Sequence, residues 1–406
     1  MKILRAYKTE LDPNNRQRTL FLQHAGVARF AFNWGLRKKI DAYAATGKSP
    51  SAIDLHRELN ALKKIDYPWM YESSKCAPQE ALRNLDSAFA HFFRRCKKGS
   101  KRKGFPKFKS RKRGIGGFRL TGSAGATDRH VQLPRIGKVR LKERDYLPAV
   151  DREDVRILSA TVTERAGRWF VSFQVEQTIP DPVPPTESVV GVDVGIKYLA
   201  VTSDGEVFDN PKALRTMEPR LRTRQKEVSR RVKGSSNRRK SVARLARLHY
   251  RISCIRRDYI HKMTTAITKS ASTVVLESLN VSGMLRNHRL ARALSDAALA
   301  EIHRQVKYKM AWKGGTVEEA DCFFPSSKMC SDCGNVKDVL SLGERVYECD
   351  ACGSVIDRDV NAAINLKNLA GSSPVSACCP GSAGPARKSR AKLLVGQEPN
   401  AIQGVS

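Results

Sequence analysis

Two cysteine pairs, Cys330-x-x-Cys333 and Cys349-x-x-Cys352, stand fifteen residues apart. Two thiolates three positions apart on a tight turn face one point, and two such turns complete a tetrahedron around Zn²⁺. Each pair is followed directly by a glycine, Gly334 and Gly353, the residue that takes left-handed backbone at least cost. The spacing is that of a zinc ribbon. Four unrelated buried thiols would be the plainer reading, but they would not repeat a spacing. Four protein ligands leave no open coordination position, so the expected ion, one Zn²⁺, is structural. Cys76, Cys96, Cys254, Cys322, Cys378 and Cys379 show no such spacing.

Three carboxylates stand where an acidic side chain is costly. Asp193 interrupts the apolar strand Val189-Val-Gly-Val-Asp-Val-Gly195, and Glu277 ends another, Thr273-Val-Val-Leu-Glu. Asp359 opens a helix in Asp357-Arg-Asp-Val-Asn-Ala-Ala363. A buried carboxylate needs a partner or a metal. Three of them at two strand ends and a helix start can converge on two Mg²⁺ ions. Such ions activate water and stabilise the leaving oxygen of a phosphodiester. Each acid alone has a plainer reading: Asp193 in a nucleotide-binding turn, Glu277 as a polar strand end, Asp357 or Asp359 as a helix N-cap. The residues alone leave open which of the last two is the ligand.

Charge narrows the partner. The chain carries 74 Lys and Arg against 40 Asp and Glu, a net charge of +34 over 406 residues. That field draws polyanions and keeps copies apart, which favours a monomer. No run of 18 apolar residues and no basic amphipathic end points to a membrane. Nucleic acid is the expected partner, with binding that weakens steeply with salt. The opening MKILRAYKTELDPNN lacks a signal-peptide core. A cytoplasmic location is therefore expected, where ten cysteines serve as metal ligands or buried thiols.

The basic residues are concentrated. Sixteen Lys and Arg face only Glu218 and Glu227 within 215–257, where Arg238 and Arg239 are candidate phosphate contacts. A second basic stretch spans 94–113, with Lys107 and Lys109 interleaved with Phe105 and Phe108. Lys75 and Gln79, one helical turn apart, have the chemistry to read base edges. An ordinary polar helix start explains them as simply.

Periodicity orders the rest. Residues 1–11 read as a strand, with Asp12 as N-cap and Pro13 opening the helix. Helical spacing recurs over 20–43, 51–64 and 79–96. Alternating strands follow between 118 and 176, including separate ones at 155–157 and 160–163, and predict a small β-barrel closed by the N-terminal strand. The helical block is then an insertion after that strand. A Pro-rich linker occupies 179–185. Beyond it, Asp204-Gly205 marks a hairpin, 296–312 a helix and 316–319 a strand. From Gly371 onward Ser, Pro, Gly and Ala dominate, and 371–406 is expected to be a disordered tail.

These motifs together resemble the TnpB (OrfB) proteins of insertion sequences, compact RNA-guided nucleases related to type V CRISPR effectors. The resemblance covers residues 1–370. It rests on Gly191-Val-Asp-Val-Gly195, Leu276-Glu277, Phe324-Pro-Ser-Ser327 leading into the first cysteine pair, and the second pair followed by Asp357-Arg-Asp359. Ala28-Arg-Phe-Ala-Phe-Asn33 and Gly104-Phe-Pro-Lys-Phe-Lys109 also match.

The resemblance implies a multidomain α+β protein. A wedge β-barrel (1–11 and 104–180) would carry an inserted helical recognition lobe (12–103). An RNase H-like (RuvC) α/β domain (186–325 and 355–370) would carry the zinc ribbon (326–354). It further implies a Mg²⁺-dependent endonuclease that cuts double-stranded DNA matched to a noncoding guide RNA from the transposon end, beside a short transposon-adjacent motif. In the family pattern the second aspartate of Asp-Arg-Asp is the ligand, which selects Asp359. Relatives that have lost the triad act as RNA-guided regulators; here Asp193, Glu277 and Asp359 are all acidic, so cleavage is expected. An unguided RuvC-fold transposase or resolvase would share the triad but would not need the N-terminal block.

Overall fold

The computed structural model describes residues 1–370 except 101, 123, 148–153, 183–187 and 342. The 371–406 tail and part of the Pro-rich 179–185 stretch lie outside the described residues. The chain opens with β1 (Lys2–Asp12), α1 (Asn15–Thr46), α2 (Ala52–Leu62) and α3 (Cys76–Lys97). Then come β2 (Gly117–Thr121), β3 (Gly125–Ala126), β4 (His130–Leu133), β5 (Gly137–Leu141), β6 (Val155–Arg165) and β7 (Arg168–Thr178). The second half runs β8 (Val189–Asp193), β9 (Tyr198–Thr202), β10 (Val207–Asp209), α4 (Ala213–Arg230), α5 (Ser236–Ser270) and β11 (Thr273–Glu277). It continues through α6 (Val281–Met284), α7 (Ala291–Ala297), α8 (Leu299–Trp312), β12 (Thr316–Ala320), β13 (Val346–Glu348), β14 (Val355–Asp357) and α9 (Arg358–Leu369).

The first seven strands form one antiparallel sheet in the order β2-β6-β7-β1-β5-β4-β3. The β6–β7 hairpin turns on Ala166 and Gly167, both with positive φ, the pattern of a tight two-residue turn matched to strand twist. The helices α1–α3 share one apolar core with this sheet, centred on Phe21, Leu36, Leu82 and Phe118. Both α1 and α2 begin with capping boxes, Asn14 with Gln17 and Ser51 with Asp54, which satisfy amides that the first turn leaves free.

The second sheet has the order β10-β9-β8-β11-β12. Strands β8, β11 and β12 run parallel. Parallel neighbours need crossovers, and α4–α5 and α6–α8 supply them. Side chains alternate along these strands. Val190, Val192, Val274 and Leu276 pack toward α5 and α8, whereas Val275 packs with Leu366 of α9. The sheet is therefore covered on both faces. A third, two-stranded sheet pairs β13 with β14.

Three local readings are corrected. Asp12 is not the first N-cap: pairing to Arg140 of β5 keeps it in the strand, and Asn14 caps α1. The strands read at 155–157 and 160–163 are one strand, β6, with an irregularity between Ile157 and Ser159. The helix read over 296–312 breaks at Ala298, whose φ of 54° separates α7 from α8.

Candidate metal centres and basic groove

Strand register brings two of the three acids together. Val192 of β8 is paired with Leu276 of β11, so Asp193 and Glu277 follow side by side at the same end of two parallel strands. Asp359 enters from the first turn of α9, which lies against β8. Burial, and then the charges of Glu277 and Asp359, push the Asp193 carboxyl up to about 8. Asp357 takes the cap: its carboxylate accepts from the amides of Asp359 (2.9 Å) and Val360 (3.2 Å). Asp359 is buried, with Arg358 at 3.3 Å and Arg345 at 4.0 Å. Glu277 accepts a hydrogen bond from the Ser326 hydroxyl.

A hard divalent cation fits this donor set. Three carboxylates offer only oxygen ligands, and Asp193 holds its proton because of burial and the charges of Glu277 and Asp359 beside it, which a cation would offset. The acids stand wider apart than the cysteines. Among the described residues, the one group of three or more His, Cys, Asp or Glu with ligand atoms all within 4.8 Å of one another is Cys330, Cys333, Cys349 and Cys352.

In that group the Cys330 and Cys352 sulfurs are 3.7 Å apart and those of Cys333 and Cys349 are 3.5 Å apart. A disulfide would need about 2.05 Å. A regular tetrahedron with Zn–S of about 2.3 Å has sulfurs about 3.8 Å apart. The sequence folds this way locally because Gly334 (φ 76°) and Gly353 (φ 72°) close each turn onto its first cysteine, Gly334 N to Cys330 O at 3.0 Å and Gly353 N to Cys349 O at 2.9 Å. The amides of Cys352 and Ala351 pull the Cys349 thiol down to about 6, toward the thiolate that binds metal. The Tyr347 ring is buried beside Cys330 and Cys349, and its hydroxyl donates to Lys328 O.

Sequence reasoning gave no role to three polar residues that join these centres: Ser326 and Asn361, which lie within quoted motifs, and Asn365. All three are buried. Asn361 and Asn365, one turn apart on α9, spend their amides on the backbone of the segment carrying Cys330. A signal was present: two asparagines at i, i+4 on a small-residue helix face, where Asn is a poor helix former.

The basic segment forms a helical pair. Arg220 and Arg224 of α4 face Arg244, Arg247 and Arg251 of α5 across a cavity of about 620 Å³. A neighbouring cavity of about 570 Å³ is lined by Lys226, Arg230 and Arg231. Glu227 already bonds Arg224, Arg231 and Arg244. Arg238 and Arg239 lie in the first turn of α5 and line neither cavity. Asp296 anchors the pair, accepting from the Leu214 amide (3.0 Å) and from Arg256 (2.6 Å).

On the first sheet's side, Lys107 and Lys109 line a smaller cavity of about 360 Å³ with Arg29 and Phe108. Asn33 holds Lys109 through both backbone groups, at 2.7 and 2.9 Å. Lys75 is exposed at the start of α3, and Gln79 is partly buried one turn on. Both sit on α3 or its N-cap, whereas the acids sit on β8, β11 and α9.

Comparison with known proteins adds three family models: OrfB_IS605, described as a probable transposase, over residues 172–288; the Cas12f1-like TNB domain over 300–366; and a helix-turn-helix domain over 1–48. In this structure 1–48 is a strand and one continuous helix. A Streptomyces pristinaespiralis protein provisionally named RNA-guided DNA endonuclease is 38% identical, covering 93% of this chain and 91% of its own. Escherichia coli K12 InsQ, with the same provisional name, is 32% identical, covering 93% and 94%. A solved Cas12f1 chain, from a complex with sgRNA and target DNA, superposes with a TM-score of 0.58 over 90% of this chain and 99% of its own, at 14% identity. That likeness is one of fold.

Proposed function

The chain belongs to the TnpB (OrfB) family of insertion-sequence proteins, and from that premise we propose that it is an RNA-guided DNA endonuclease whose catalytic carboxylates are Asp193, Glu277 and Asp359. The observation that carries the reading is their convergence at the ends of β8 and β11 and the start of α9, close enough for Glu277 and Asp359 to raise the Asp193 pKa. The 3-2-1-4-5 strand order, with a leading hairpin and three parallel strands, supports an RNase H-like (RuvC) domain over 186–325 and 355–370. The seven-stranded sheet suits the wedge barrel, α1–α3 the recognition lobe, and 326–354 the zinc ribbon.

Two Mg²⁺ ions at the three acids would supply an activated water and a stabilised leaving oxygen. The protein's own part is to hold three oxygen donors at fixed strand and helix ends, with Ser326 orienting Glu277. Cys330, Cys333, Cys349 and Cys352 would hold one Zn²⁺, closing the ribbon. The arginine groove of α4 and α5 suits phosphates, being charged, open and short of acids. A guide RNA from the transposon end supplies sequence specificity by pairing, as in RNA-guided effectors generally. The N-terminal half, with Lys75, Gln79, Lys107 and Lys109, reads a short motif beside the double-stranded target. No described helix is long and apolar enough to cross a membrane. The chain acts as a monomer in the cytoplasm.

The test is to purify the protein from cells that express the RNA flanking its gene. A plasmid bearing a matched target and randomised flanks is then incubated with and without Mg²⁺. Mg²⁺-dependent cutting of matched targets beside one enriched flank is the expected result. Guided binding without cutting would make the protein a regulator, and cutting without RNA an unguided transposase or resolvase.

A further inference from the structure

Ser326 stands between the two metal centres. It is 3% exposed, and its hydroxyl donates to Glu277 Oε1. Its backbone carbonyl accepts from Asn365 Nδ2 at 2.8 Å. The same amide donates to Met329 O at 2.6 Å, and Asn361 Nδ2 reaches that oxygen at 2.7 Å. Asn361 Oδ1 in turn accepts from the amide of Ser331, the residue after Cys330, at 2.9 Å. Asn361 and Asn365 are 0% and 1% exposed. Buried amides are costly unless bonded. Here the bonds all go to one short segment, so they fix its position against α9.

The other cysteine pair reaches the acids by a different arm. Cys349 and Cys352 lie around the β13–β14 hairpin, and β14 runs directly into the Asp357 cap and Asp359. The Arg358 amide also donates to Arg345 O, at 2.8 Å, tying the loop between the pairs to the same turn. A zinc ion held by the four thiolates would therefore join the arm that ends on Glu277 to the arm that ends on Asp359.

We propose that Ser326 is a positioning residue for Glu277, held at its station by Asn365, so that the cysteine-bound zinc sets the reach between Glu277 and Asp359. The ribbon is then a spacer for the catalytic acids as well as a folded unit. The hydroxyl restricts the rotamers of the Glu277 carboxylate, which stands beside Asp193 at the same end of β8 and β11. Loss of such an outer partner costs about 10–100-fold in metal affinity. The inference rests on the reading of the three acids as a divalent-metal site.

The experiment is a double-mutant cycle read by Mn²⁺ binding, measured by electron paramagnetic resonance on the full RNA-free chain with its zinc in place. Ser326→Ala is expected to weaken Mn²⁺ about 10–100-fold, with zinc content and guided DNA binding unchanged. Glu277→Gln weakens it as well, and Ser326→Ala adds nothing in that background, because it acts only through Glu277. Asn365→Ala weakens Mn²⁺ in the otherwise native chain and has no effect on top of Ser326→Ala. Wild-type affinity in Ser326→Ala, or losses that add in the double variant, would overturn the proposal. If instead the native chain binds Mn²⁺ no better than Asp193→Asn, the metal reading of the acids itself fails, and the proposal with it.

Discussion

A side-chain carbon built on Gly191 would lie 2.0 Å from the carbonyl oxygen of Ala363 and 2.5 Å from the amide of Lys367. The neighbours are backbone atoms of α9 and cannot swing aside. Glycine on β8 is what lets the helix bearing Asp359 approach the strand bearing Asp193.

Gly191→Ala should therefore displace α9 from β8. Overpacking of this kind costs about 1–3 kcal/mol, visible as a lower midpoint in thermal unfolding. Cleavage should fall further than guided DNA binding, because the acids separate while the basic groove is untouched. Equal losses in a cleavage assay and a mobility-shift assay would count against this.

Asp193 makes the metal-free protein pH-sensitive. Its carboxyl is raised from 3.8 to about 8 in the folded chain. The folded state therefore binds the proton more tightly than the unfolded state does. The stability this confers is full below about pH 4 and is lost as pH rises toward 8. Without added Mg²⁺, the unfolding midpoint should drop by roughly a few degrees as pH rises from about 4 to about 8, and level off above that. Asp193→Asn should flatten that slope. Its cleavage activity should fall at least about 100-fold, since a ligand matters no less than an outer partner.

Zinc should be stoichiometric. Elemental analysis is expected to find about one ion per chain. Cys349→Ser, which removes the thiol already drawn toward its thiolate, should lose most of it and unfold at a lower temperature. Retention of full zinc content would contradict the four-thiolate site.

The groove predicts a ranking among arginines. Arg247→Ala and Arg251→Ala should each lower the salt slope of nucleic-acid binding by about 1. Arg238→Ala and Arg239→Ala, outside both cavities, should change it less. Filter binding across a salt series distinguishes the two pairs.

What could be read from sequence was mostly local. The cysteine spacing, the apolar strands ending in acids, and the Asp204-Gly205 turn carry their information within a few residues. What could not be read depends on partners far along the chain. Asp12 looks like a helix cap until β5 is known to hold it in a strand. Nothing around Ala298 announces a break, which coincides with Asp296 being anchored to Leu214 and Arg256. Composition announced a basic segment, but only the packing of α4 on α5 selects which five arginines face one another. Ser326 looked like part of a motif, and its contact with Glu277 becomes visible only once β11 and the ribbon meet.

The first strand has a further consequence. Residues of β1 pair with β7 from Lys2 opposite Thr178 to Leu11 opposite Trp169, and the N-terminal amine rests on the Ile179 carbonyl, 178 residues away. During synthesis at about 5–20 residues per second, β1 waits about 10–35 s for that partner. The helices α1–α3 emerge in the interval and can pair among themselves. Nascent chains should therefore carry a basic, unpaired leading strand for much of their production, the stage at which misassembly with a neighbouring nascent copy is easiest.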